Sequence, residues 1–156
     1  MNALSIDGWL LFAHIAGAAV WLGGGVLLTL VASRARASAD PAFIREFSRG
    51  LPQVALRSLM PAMFVVLLSG IGLVLSRSRS FTELWVLLAL ASFVVAFVVG
   101  AVFMSRTAMQ LSRLAAEASV DLAAANSALG RWLTTYRLIL AILVFVLWDM
   151  VFKPSF

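Results

Sequence analysis

The sequence predicts an all-α integral membrane protein, a four-helix bundle with its N and C termini on the outer, periplasmic side. Three observations predict it. Of 156 residues, 63% are hydrophobic and 12% charged, and the mean hydropathy is +1.03; a chain so apolar needs the bilayer as its solvent. Four apolar runs are each long enough to cross roughly 30 Å of hydrocarbon. The basic residues, finally, cluster between those runs rather than within them. The reading is one transmembrane domain over residues 1–156, placed in a bacterial inner (cytoplasmic) membrane as a multi-pass protein.

Helix one is expected at about 6–32, with Ser5 or Asp7 as N-cap. No Lys or Arg precedes Leu10, so the positive n-region of a secretory signal is missing; Arg34 and Arg36 follow the run instead, as in a retained helix with its N-terminus outside. Asp40-Pro41 then reads as an N-cap with proline at the first helical position. Phe43, Ile44 and Phe47 form an apolar stripe, Arg45 and Arg49 face elsewhere, and Gly50 is a candidate C-cap. This predicts a short helix at about 41–49 lying on the cytoplasmic interface.

Helix two is expected at about 60–76, with Pro61 in its first turn. Helix three, about 83–104, carries Ser92, Ala96 and Gly100 at four-residue spacing, a stripe suited to close helix packing. The loop from Arg106 to Thr134 is alanine-rich and reads as helical with a break near Asn126. Trp132 and Tyr136 read as interfacial anchors for helix four, about 135–152, which Pro154 stops.

Charge sets the orientation. Arg34, Arg36, Arg45, Arg49, Arg57, Arg106, Arg113, Arg131 and Arg137 fall in or beside the first and third loops; Arg77, Arg79 and Lys153 fall on the other side. Nine against three puts the first and third loops in the cytoplasm. With a net charge of +5 carried by arginines near helix ends, contact with anionic headgroups is expected and nucleic-acid binding is not. The chain has no cysteine, which excludes disulfides, thiolate metal sites and iron–sulfur clusters.

The chemistry-bearing residues lie at the outer ends of the first and last helices. His14, the one histidine, shares a helix face with Ala18, Trp21, Gly25 and Leu28, with Gly17 and Gly24 beside it and Asp7 one heptad earlier. The missing side-chain bulk leaves room for another helix or for a flat cofactor. Asp149 and Met150 lie near the outer end of helix four. Asp149 could orient the His14 imidazole or pair with Lys153 at i+4, and Met150 could be a second axial ligand. Arg57 could neutralise phosphate or propionate groups at the cytoplasmic end. Heme ligation by His14, copper or proton handling, and plain bonding of the imidazole to a carbonyl or side chain all remain open here. Bis-histidine ligation would need His14 from two chains of a homodimer. No serine–histidine–aspartate motif, phosphate loop or dinucleotide fingerprint is present.

His14 followed by Trp21 and Gly23-Gly24, the stretch Leu59-Met60-Pro61-Ala62-Met63 with Gly70, and the ending Met150-Val151-Phe152-Lys153-Pro154 together resemble a group of four-helix membrane families. These are the CopD-like copper-resistance proteins, the HemJ-type protoporphyrinogen oxidases and a related predicted integral membrane protein branch. The similarity covers almost the whole chain in layout. The HemJ-type resemblance implies heme b on His14 and redox chemistry with a membrane electron acceptor. Those enzymes carry a Lys and a His in the third helix; here Leu84 to Met104 is apolar or small apart from Ser92. The leading expectation is a heme-b-binding redox or heme-handling protein. Its cofactor-binding residues would be His14, Trp21, Gly17, Gly24, Gly25 and Met150, supported by Asp149 and Lys153. The alternatives are a non-catalytic subunit of a larger membrane complex and a copper transport or resistance protein.

Overall fold

A computed structural model describes residues 5–117 and 121–155. All regular structure among them is helical, and four helices are long and apolar enough to cross a bilayer: Ile6–Ser38, Pro41–Ser76, Leu84–Ala116 and Leu122–Phe152. The first is α1. The second consists of α2 (Pro41–Val54), a π-helical turn (Ala55–Leu59) and α3 (Met60–Ser76); the third of α4 (Leu84–Val99), a second π-helical turn (Gly100–Met104) and α5 (Ser105–Ala116); the fourth is α6 (Leu122–Phe152).

Ser5 caps α1 by accepting from the Gly8 amide at 3.2 Å. The helix runs on to Ser38, past the expected end near Ala32. The alanines, serines and arginines beyond the apolar run contain no breaker, and the end comes only where Pro41 disfavours a helical Asp40. Asp40 in turn caps α2 through the Ala42 amide at 2.9 Å. Gly50 does not cap α2, which continues through Pro52. Pro61 cannot donate to the carbonyl four residues back, and its ring crowds that carbonyl; the wide turn at Ala55–Leu59 sits where this misfit falls.

The stripe on α2 does not lie on lipid. Ile44, Phe47, Ser48 and Leu51 are buried, and the helix packs chiefly on α5. The third loop departs from expectation in a related way. Asn126 lies inside α6 rather than at a break, and α6 begins at Leu122 with Asp121 as its cap. The part of that loop prediction covering 118–120 lies outside the described residues. Trp132 and Tyr136 are buried, not interfacial: their rings stack at 4.9 Å, and Phe47 meets Trp132 edge-on at 5.9 Å.

Within the membrane the helices pack in the order α3–α1–α6–α4, with α1 on α3 the most extensive pairing. Between α3 and α4 an apolar cavity of about 150 Å³ remains, lined by Met60, Met63, Phe64, Leu67, Phe93 and Phe97. Of the predicted small-residue stripe, Ala96 is buried at 1% exposure, whereas a side chain added at Gly100 would meet open space.

Candidate functional site

The site around His14 is made by the approach of α1 to α3. Gly17, one turn after His14, is buried, and a Cβ there would lie 3.0 Å from Val66, 3.1 Å from the Ala62 carbonyl oxygen and 3.2 Å from Val65. Helix backbones come this close only where side chains are missing. Gly72 does the same for Leu10, and an Asp7–Arg77 ion pair at 3.7 Å ties the two helices beyond it.

The imidazole is thereby laid on the α3 backbone. A Cβ at Gly70 would sit 3.0 Å from His14 Cε1 and 3.3 Å from Nδ1. Nδ1 lies 2.9 Å from the Val66 carbonyl oxygen and 3.3 Å from Ser69 Oγ. A carbonyl can only accept, so Nδ1 carries the hydrogen and donates it. Ser69 spends its own hydroxyl hydrogen on the Val65 carbonyl, and its oxygen can accept from His14. The second ring nitrogen, Nε2, is then the one with the lone pair. Among the described residues no protein group bonds to it.

The other expected site residues are distributed differently. Trp21 is buried, edge-on to Phe93 at 5.8 Å, and so lies beside the apolar cavity. A Cβ at Gly24 would touch Leu59 at 3.1 Å, and one at Gly25 would lie 2.6 Å from Tyr136 Cε1 and 3.0 Å from Leu140. Gly23 faces open space. The room left by Gly17, Gly24 and Gly25 is thus taken by side chains and backbone of this chain.

Asp149 takes neither of its expected partners. It is fully buried, and neither carboxyl oxygen has a hydrogen bond among the described residues. The Val66 carbonyl holds the imidazole in its place, and the Lys153 ammonium lies 5.3 Å over the Trp85 ring. Met150 is half-buried on α6. Arg57 is exposed on the π-helical turn, at the end of α3 away from His14.

The described residues contain no group of three His, Cys, Asp or Glu that could hold a bare metal ion. What His14 offers is one well-oriented nitrogen donor. Val66, Ser69 and Gly70 were not expected as its partners: a carbonyl acceptor carries no side-chain signal, Ser69 reads simply as a packing residue, and Gly70 stood out only in the family resemblance.

Residues 9–154 match the model of a family described as predicted integral membrane protein (DUF2269). Neither the curated proteins nor the solved structures give a match.

Proposed function

The chain belongs to the DUF2269 family of integral membrane proteins, and from that premise we propose that it binds heme b through His14 and serves in redox or heme handling. The observation that supports this reading is the state of the imidazole. Its Nδ1–H is fixed by the Val66 carbonyl, and the lone pair on Nε2 is left without a protein partner. Histidines that ligate metals are held in this way, with the second nitrogen donating to a carbonyl that sets the tautomer and raises ligand basicity.

His14 would hold the iron of a heme through Nε2. A bound heme would supply one-electron redox chemistry; this chain's residues orient the donor. Gly17 and Gly70 bring α1 and α3 together so that the ring cannot turn. Gly24 and Gly25 seat α1 on Leu59, Tyr136 and Leu140, and so support the donor from within. Trp21 closes the apolar interior. A heme would be held by His14, with Met150 or His14 of a second copy as the other residue that could hold it. A metal held by a macrocycle suits a site with one histidine better than a transported copper ion does. With nine basic residues on one side and three on the other, we place the arginine-rich end in the bacterial cytoplasm and both termini outside. The accessory-subunit alternative draws on Gly23 and Gly100, which present bare backbone to the membrane, a surface another helix could use.

The test is the absorption spectrum of detergent-purified protein from heme-replete cells, oxidised and then dithionite-reduced. A Soret band that shifts on reduction is expected, together with its loss in both His14→Ala and Gly70→Leu, since the latter pushes the ring off α3. A colourless protein, or a band unchanged in His14→Ala, would overturn the reading and move the weight to co-purifying partners.

A further inference from the structure

A second place in the fold carries its own inference, independent of the heme reading. At the arginine-rich end, α1, the second π-helical turn, α5 and α6 enclose an open groove of about 550 Å³, walled by Arg36, Phe103, Thr107, Gly130, Arg131 and Thr134 among others. Its depth in the membrane follows from helix length. Counting back about 20 residues of span from the far end of α6 reaches the turn that holds Gly130 and Thr134. The groove thus sits where hydrocarbon gives way to headgroups.

The two arginines are presented differently. Arg131 is braced: one terminal nitrogen donates to Ser127 Oγ at 2.8 Å and the other to Gln110 Oε1 at 3.0 Å. Of its five N–H donors these bonds occupy two, and the rest remain available. Arg36 lies over Gly130, where an added Cβ would come within 3.3 Å of Cζ and Nη1 and 3.4 Å of Nη2. Among the described residues Arg36 has no ion pair. Hydroxyls of Thr107 and Thr134 donate to their own helix carbonyls, of Phe103 and Gly130 respectively, so their oxygens can still accept. Phe103, at 57% exposure, extends the groove wall with apolar surface.

We propose that this groove binds the headgroup of an anionic phospholipid, with the phosphodiester between Arg36 and Arg131 and headgroup hydroxyls on Thr107 and Thr134. Guanidinium forks match phosphate oxygens in pairs of hydrogen bonds. Free phosphate shares that chemistry, but the apolar wall at Phe103 and the depth of the groove favour a lipid.

The test titrates the purified full-length protein with dioctanoyl phosphatidylglycerol, followed by native mass spectrometry, with dioctanoyl phosphatidylcholine and inorganic phosphate as parallel probes. One saturable phosphatidylglycerol site is expected, with little phosphatidylcholine bound. Arg36→Gln and Arg131→Gln should each weaken it about fivefold, and Arg34→Gln should not. Gly130→Leu should weaken it too, by displacing Arg36. The arginine changes lie on the surface, so an unchanged melting temperature verifies the fold even where Gly130→Leu disturbs it. Displacement by equimolar inorganic phosphate would keep the anion site but assign it to a soluble phosphate. Equal phosphatidylglycerol binding by the wild type and the double arginine variant, or equal binding of both lipids, would overturn the proposal.

Discussion

The two ends of this molecule are built for different solvents, and their interiors differ accordingly. At the arginine-rich end, α2, α5 and the first half of α6 pack like a small water-soluble protein. Ile44, Leu111, Leu129 and Trp132 are each no more than 2% exposed, while Arg49, Arg113 and Arg131 face outward. At the other end the pattern turns inside out. Ile15, Leu68, Val144 and Leu147 point away from the protein, and the interior joins small residues such as Gly17 and Ala89 to Val74 and Val86, with a few polar bonds. Water drives the first kind of core together through the hydrophobic effect. Lipid gives no such drive, so the second is held by close backbone contact and buried hydrogen bonds.

The largest predicted effect separates the two ends directly. Trp132→Ala should destabilise the protein by about 3–5 kcal/mol, the range for emptying a large aromatic site in a core. Trp148→Ala, on the lipid-facing side of α6 at 47% exposure, should change stability by less than about 0.5 kcal/mol. Denaturant titration of both variants in one detergent compares them. Equal losses would mean that the arginine-rich end has no water-driven core of its own.

A second pair of substitutions probes the seam between the ends. Gly25 faces Tyr136, whose ring is pinned by its stack on Trp132. Gly25→Leu therefore overpacks a site that cannot yield, at about 1–3 kcal/mol. Gly23→Leu, two residues earlier and facing open space, should be nearly neutral. If the two behave alike in the same titration, α1 is not seated on α6 through its glycine face.

This contrast also explains what the sequence made legible. The four apolar spans, a start of α1 at Ser5 or Asp7 and the Asp40-Pro41 start could be read directly, because each rests on local chemistry: hydrophobic length, an oxygen for a free amide, a fixed φ. The ends of α1 and α2 could not: beyond the apolar run of α1 no breaker stands, and in α2 Gly50 and Pro52 lie inside a helix that continues into the next span. Trp132 and Tyr136 were misplaced for a related reason. Their spacing near an apolar run fits an interfacial belt and a buried stack equally well, and only the partner, Phe47 on α2, decides between them. At the site, His14 was legible as the unusual residue. Its environment was not, since it depends on how closely Gly17 lets α1 approach α3.

The smallest predicted effect lies in the loop outside the membrane that joins α3 to α4. Glu83 stands at the N-cap position of α4 without a side-chain bond to the helix amides; its carboxyl accepts instead from the Trp85 indole N–H at 2.7 Å and the Ser80 amide at 3.0 Å. The Trp85 bond first, then the Ser80 bond, with smaller help from the Arg79 and Lys153 charges and against some desolvation, hold the carboxyl below its ordinary value of 4.5. A depressed folded value means that the folded state favours the ionised form. The stabilisation is therefore fully present above pH 4.5, the value in the unfolded chain, and is lost as the pH falls through the lower folded value. Glu83→Gln keeps an acceptor oxygen but removes the titration. The wild-type advantage in melting temperature over this variant should hold near neutrality and shrink only below pH 4.5. The Glu83 side chain is only half-buried, so the effect is small and should weaken further in high salt. An advantage that stays constant down to pH 3 would assign it to the fit of the Glu83 side chain between Ser80 and Trp85, and not to the charge on Glu83.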